Sequence, residues 1–217
     1  MFHPWSDAMG DDIEIRALQL PGRETRYTEP RGKNVDILIK NITQAFGAYQ
    51  DKPFAIFGYS LGSLLAFEVC RELRKQNMKM PEHLFIAALG APQMPPPHPP
   101  ISSLADQDFV QKIEYYYQPG GEAWDNLELR EFLLPVLRDD IALYESYVYR
   151  EEAPLNCPID VFAGDRDRST ALELTRLWSE QTSSEMKHHV LKGGHFFIDN
   201  SVSEIQSLVS NSLNQRP

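Results

Sequence analysis

The spacing of hydrophobic positions changes along this chain in a regular order. Ile13 to Leu20 is rich in β-formers, closes on Pro21-Gly22 and reads as a strand. From Val35 to Tyr49 the apolar residues Val35, Leu38, Ile39, Ile42 and Phe46 recur at helical spacing. Phe54-Ala55-Ile56-Phe57 is short and wholly apolar, as a buried parallel strand requires. Leu64 to Leu73 reads as a helix and Leu84 to Leu89 as another buried strand. Further on, the pattern predicts a strand at Ile159–Ala163, a helix near Ala171–Trp178, a strand at His189–Leu191 and a terminal helix from about Ser203. Strand and helix in alternation imply βαβ units around a parallel sheet.

The middle of the chain breaks the alternation. Six prolines fall between Pro92 and Pro100, and this stretch should be extended and stiff. It reads as a rigid connection to the next helices, although it also has the form of a PxxP ligand. Asp106–Tyr117 and Leu127–Tyr149 then read as helices with no strand between them, separated by Pro119-Gly120-Gly121. A helical insertion between two strands of a sheet, here about residues 101–150, is expected to act as a lid.

Charge narrows the partners. The net charge is −10, which disfavours nucleic acid. Residues 106–152 alone hold 12 acids and 4 bases, whereas residues 1–80 are close to balance with 11 bases and 10 acids. An acidic partner should therefore meet the N-terminal part of the fold. Arg71, Arg74, Lys75 and Lys79 form a basic run there, and Arg23 with Arg26 is a second basic segment; a solvated helix end explains the run equally well. Cys70 and Cys157 sit in apolar contexts and read as two buried thiols. No apolar run approaches the roughly 18 residues of a membrane span, and the first residues lack the pattern of a signal peptide. A cytoplasmic monomer with no membrane contact is the expectation. No metal or other cofactor is implied: His188-His189 is an adjacent pair with no third ligand at suitable spacing.

Gly58-Tyr59-Ser60-Leu61-Gly62 carries the chemistry. Gly-x-Ser-x-Gly should arise by chance roughly 0.07 times in a chain of this length, so one match is informative but not decisive. Its setting sharpens it, because a buried strand precedes and an amphipathic helix comes after, as a nucleophile elbow needs. Glycines two positions either side of the serine relieve crowding between backbone segments. Ser60 is the candidate nucleophile, and the helix N-terminus beside it favours developing negative charge. A serine hydroxyl needs a base, and the fold predicts the order Ser, acid, His. His195, in Gly193-Gly194-His195-Phe196 after a late strand, is the candidate base. The acid must orient the imidazole and stabilise its cation. Strand Ile159–Ala163 runs into Gly164-Asp165-Arg166-Asp167, where Asp165 can brace the turn and Asp167 is favoured as the acid. Leu61 supplies one oxyanion N–H.

These stretches taken together resemble the type II thioesterases of nonribosomal peptide and polyketide synthases, which are similar to the medium-chain acyl thioesterases of fatty acid synthesis. The resemblance rests on Trp5-Ser6-Asp7, Leu20 to Glu24, Pro53 to Ala66, Leu134 to Asp140, Gly164 to Asp167 and Gly193 to Phe197, in order along nearly the whole chain. It implies an α/β-hydrolase fold, a Ser60–Asp167–His195 triad, and release of acyl groups from the phosphopantetheine arm of an acyl or peptidyl carrier protein. Two departures stand out. Tyr59 occupies a position where the family commonly has His. The family's first strand and Gly-rich oxyanion loop lie upstream of the Trp5 region, so the first strand is expected to be absent from this chain. The insertion is expected to line the acyl channel, with Phe109, Ile113, Tyr116, Leu133, Leu137 and Tyr144 as candidates at helical spacing and Tyr59 beside the serine. Two other readings are compatible with the pattern: a carboxylesterase or lipase acting on small esters, and a noncatalytic hydrolase-fold protein that binds carrier or acyl chain.

Overall fold

The apolar runs that read as buried strands form one parallel sheet. A computed structural model of the chain describes Trp5, Met9, Gly10 and residues 12–49 and 51–214. Among these residues, β1 (Ala55–Tyr59), β2 (His83–Ala87), β3 (Ile159–Gly164) and β4 (Met186–Leu191) lie side by side in that order, all parallel. Tyr59 is level with Ala87, Ala87 with Phe162, and Phe162 with His189. The loops after β1, β3 and β4 therefore emerge along one edge of the sheet.

Alternate residues of the strands feed two cores, as the pleat demands. Leu84, Ile86, Ile159 and Val161 face α2 (Leu61–Lys75) and pack with Leu64, Phe67 and Trp178. Phe85, Ala87 and Phe162 face the opposite way and pack with Trp5, Phe197, Ile198 and Ile205. On the α2 side a further layer is added by α1 (Val35–Phe46). Asn34 starts α1 by accepting the Ile37 N–H at 2.9 Å, and Leu38, Ile39 and Ile42 bury against Leu65, Val69 and Leu73. At the other end of the sheet, buried Asp160 accepts hydrogen bonds from His83 at 2.9 Å, His189 at 3.0 Å and Ser212 at 2.9 Å.

The sequence differs from the structure at three places. The run Ile13–Leu20 forms no strand. Ile13 and Ile15 pack onto the second core, so one-sided packing satisfies the alternation without a ladder. The second long helix ends four residues before Tyr149, where the Ser146 hydroxyl donates to the Leu143 carbonyl at 2.9 Å. The terminal helix (Ile198–Asn214) starts before Ser203; Ser201, at φ −125°, interrupts it and hides its first turn from the periodicity.

Between β2 and β3 stand α3 (Asp106–Tyr116), α4 (Glu122–Asp125) and α5 (Leu127–Glu145). They share a small core of Ile101, Phe109, Ile113, Tyr117 and Ile141, with Leu137 and Phe196 against it. Asn126 caps α5, and Pro135 lies inside it. Arg138 ties α5 to the preceding loop through the carbonyls of Ser102 at 2.5 Å and Leu104 at 2.8 Å and through Asp106 at 2.6 Å. Arg23 and Arg31 pair with Asp140 and Asp139 and fasten the N-terminal segment to α5. Burial outweighs Arg23 at Asp140 and pushes that carboxyl up to about 6.

Within the basic run only Arg71 faces inward, while Lys75 and Lys79 are exposed. Arg71 is 2% exposed and pairs with Glu68 at 2.7 Å and Glu152 at 2.6 Å. Arg74 at 3.0 Å and Lys75 at 2.9 Å join it on Glu152. A buried guanidinium must be paired, and Glu152 lies about 80 residues away in sequence, where composition alone does not place it. Arg23 is likewise committed to Asp140, and Arg26 to Glu29. Cys70 and Cys157 are both buried and free, and burial pushes the Cys157 thiol up to about 12.

The two motif glycines should tolerate a methyl group very differently. A Cβ at Gly58 would meet the Gly62 carbonyl at 2.4 Å and the Ser63 Cα at 2.5 Å, whereas a Cβ at Gly62 meets nothing within 4 Å. Gly58→Ala should cost about 3 kcal/mol or more and Gly62→Ala less than about 1 kcal/mol in urea unfolding. Acid should probe the cluster around Glu152. Burial works against the Glu152 charge, but hydrogen bonds from Lys75 and Arg71 and the Arg71 charge more than offset it and hold the carboxyl down at about 2. Its folded value lies below its unfolded one, so its contribution to stability is complete above about 4.5 and lost as pH falls toward 2. Glu152→Gln should flatten the stability–pH curve across that window, measured by chemical denaturation at each pH.

Candidate active site

At the end of β1 the chain turns abruptly into α2, and Ser60 sits on the turn with φ 53° and ψ −120°. A residue with a side chain adopts this region only under strain, and here the flanking structure enforces it. The Ser60 N–H donates to the Ala87 carbonyl at 2.8 Å. The Ser63 hydroxyl donates to the same carbonyl at 2.8 Å and accepts the Ala87 N–H at 3.0 Å. Gly58 lets the first turn of α2 approach β1, so Oγ is carried to the sheet edge. Leu61 opens α2, and an N–H in the first turn of a helix has no partner within it.

The loop after β4 brings in the base. Gly193, at φ 140°, starts it, and a Cβ on Gly164 would meet the Gly194 carbonyl at 2.5 Å. The loops after β3 and β4 thus touch backbone to backbone. Asp165 braces them, accepting the Gly193 N–H at 2.9 Å and pairing with Lys192 at 2.9 Å, which together hold its carboxyl down at about 2. The bracing role anticipated for Asp165 is the one it has.

His195 Nε2 lies 3.1 Å from Ser60 Oγ, and His195 Nδ1 lies 3.0 Å from Asp167 Oδ2. The side chains of His195 and Asp167 are 5% and 2% exposed, so both are removed from bulk water. Ser60, His195 and Asp167 therefore form one line: hydroxyl, imidazole, carboxylate. Tyr117 stands edge-on to the imidazole with ring centres 4.9 Å apart, and Phe196 does so at 5.3 Å. A cavity of about 850 Å³ opens beside His195, lined by Gln118, Arg166, Arg168, Phe196 and Asn200 among others.

The remaining candidates lie further from this line. Tyr59 points behind the serine, and its hydroxyl donates to the His195 carbonyl. Burial, with Asp167 and Asp199 nearby, pushes that phenol well above its usual range, so it stays a neutral donor. Phe109 and Ile113 are 0% and 1% exposed and form the interior of the insertion, with Leu137 half-buried against them. Leu133 is 40% exposed on α5, and Tyr144 packs into the first core.

Sequence reasoning missed Ser169. Its N–H and its hydroxyl both donate to Asp167 Oδ1, at 2.8 and 2.7 Å, and its Oγ lies 2.8 Å from His195 Nδ1. The available signal was local: an aspartate with a serine two residues later is the spacing of a side-chain-to-backbone turn.

Comparisons with known proteins agree with this geometry. A family model described as Thioesterase domain matches residues 1–213. The chain is 31% identical to linear gramicidin dehydrogenase LgrE of Brevibacillus parabrevis, covering 98% of this chain and 82% of that protein. It is also 31% identical to thioesterase PikA5 of Streptomyces venezuelae, covering 98% and 75%. Among solved structures, the type II thioesterase BorB from the borrelidin biosynthetic cluster superposes with a TM-score of 0.88 at 28% identity, covering 98% of this chain and 86% of that one. The α/β-hydrolase architecture, the serine elbow and these likenesses together show that the chain belongs to the thioesterase family, alongside the type II thioesterases of peptide and polyketide biosynthesis.

Proposed function

We propose that the protein hydrolyses acyl thioesters carried on the phosphopantetheine arm of acyl or peptidyl carrier proteins, through an acyl-Ser60 intermediate. The observation that carries this reading is the line from Ser60 Oγ through His195 to Asp167, with contacts of 3.1 and 3.0 Å. Ser60 Oγ attacks the thioester carbonyl while His195 Nε2 takes its proton. Asp167 holds Nδ1–H and stabilises the imidazolium. The Leu61 N–H faces the developing oxyanion from the first turn of α2, where the helix N-terminus adds its partial charge. The C–S bond breaks, the sulfur takes the proton from Nε2, and water activated by the same nitrogen releases the acid. The helical insertion serves as lid, with Leu137 toward the acyl chain and Phe109 and Ile113 as the packing behind it.

Among the described residues, no helix is long and apolar enough to cross a membrane.

Ser60→Ala should lower hydrolysis of acyl-carrier thioester by about 10⁴-fold or more and abolish labelling by a fluorophosphonate. A paired assay on a carrier-bound thioester and a small oxygen ester should favour the thioester; a reversed preference would return the protein to the general esterases, and labelling without turnover of either would mark a binding role. Tyr59→Phe removes the donor to the His195 carbonyl while keeping the ring. It should cost about 1 kcal/mol in stability and lower kcat about 3–10-fold with KM little changed, as steady-state kinetics on the thioester would read.

A further inference from the structure

We infer that Ser169 is a positioning residue for His195, fixing its protonation pattern through Asp167 and directly through its own oxygen. The inference rests on the reading of Ser60, His195 and Asp167 as the reacting line. Ser169 is 5% exposed, and its Oγ sits between the two partners, 2.7 Å from Asp167 Oδ1 and 2.8 Å from His195 Nδ1. A serine hydroxyl has one proton to give. The Asp167 carboxylate can only accept, so that proton goes to Oδ1. The hydroxyl then turns a lone pair toward Nδ1, and two acceptors, Asp167 Oδ2 and Ser169 Oγ, converge on that nitrogen.

Two converging acceptors leave one arrangement without conflict: the proton on Nδ1 and the lone pair on Nε2. That is the tautomer in which the nitrogen 3.1 Å from Ser60 Oγ can accept its proton. With the other tautomer, Nδ1 and Asp167 Oδ2 would set two lone pairs against each other in a buried space, and the Ser169 proton would have to leave Oδ1 to satisfy Nδ1. The Ser169 N–H also donates to Asp167 Oδ1 at 2.8 Å, so backbone and side chain hold the carboxylate plane together. Removing the hydroxyl leaves the backbone bond in place, so Ser169→Ala loosens the imidazole without releasing the carboxylate.

The test combines kinetics with a spectroscopic signature. Wild type, Ser169→Ala, Ser169→Thr and Ser60→Ala are compared on a small acyl thioester, with imidazole ¹⁵N shifts recorded on each folded protein. Ser169→Ala should lower kcat about 10-fold with KM within about twofold, and its His195 nitrogens should show a mixture of tautomers. Ser169→Thr keeps a hydroxyl and should recover most of kcat and the single Nδ1–H form. The inference is overturned if Ser169→Ala keeps the single tautomer, or keeps kcat within twofold, or if folded Ser169→Thr behaves like the alanine variant. A wild type that fails to turn over while its His195 shows the single Nδ1–H form lost in Ser169→Ala would overturn the hydrolase reading and leave the positioning role standing.

Discussion

The close approach of β1 to the first turn of α2 is the constraint on which the site depends. A backbone carbonyl and a Cα occupy the space where a Gly58 side chain would be, and Ser60 is forced to positive φ above them. The elbow is held from the side by the hydroxyl of Ser63 and the backbone of Ala87, so β2 takes part in fixing the nucleophile. The second close approach, at Gly164 against the Gly193–Gly194 backbone, does for the base and acid loops what Gly58 does for the serine. The two glycine contacts set the relative positions of the three loops, and side-chain hydrogen bonds then fix the atoms within them. The two motif glycines are not equivalent. Gly58 is sterically required, while Gly62 faces open space, so any demand at Gly62 comes from outside the protein's own packing.

Much of this was legible in the sequence where the physics is local. The buried strands at Leu84–Leu89 and Ile159–Ala163 announced themselves as apolar runs and α1 through its spacing, whereas Phe54–Phe57, read as buried, is only half-buried because β1 stands at the end of the strand order among the described residues. Ser60, Asp167 and His195 could be picked from the ends of strands, and the structure brings the three together. What was not legible is contact between distant segments. Arg71 has the composition of a surface helix end, yet it is buried because Glu152 comes back to meet it from the far side of the insertion. Ile13–Leu20 has the composition of a strand but no ladder, because pairing depends on a neighbour rather than on the run itself. The identity of Tyr59 was plain in the sequence, but the bond it makes to the His195 carbonyl depends on a loop 136 positions away.

Charge in this molecule is largely used up internally. Glu152 collects Arg71, Arg74 and Lys75, and Arg23, Arg31 and Arg138 are all directed at the insertion. These pairs leave the net charge of −10 unchanged, since each takes an acid with its base. At the cavity beside His195, Arg166 and Arg168 both reach solvent, Arg168 lying over the ring of Tyr115.

The long helix α5 is seated unevenly. Its C-terminal end is built into the main body, with Leu143 in the core beneath α1 and Tyr144 in the core beneath α2, while its N-terminal half belongs to the small core of the insertion and exposes Leu129 and Phe132. Pro135 stands between the two halves and withholds one rung of the hydrogen-bond ladder. The N-terminal half is held by its own contacts, Leu134 in the small core and Phe132 stacked on Tyr27 with ring centres 5.4 Å apart. The two ends of α5 thus report on different cores: a substitution at Leu143 is felt by the packing of α1, and one at Leu137 by the small core.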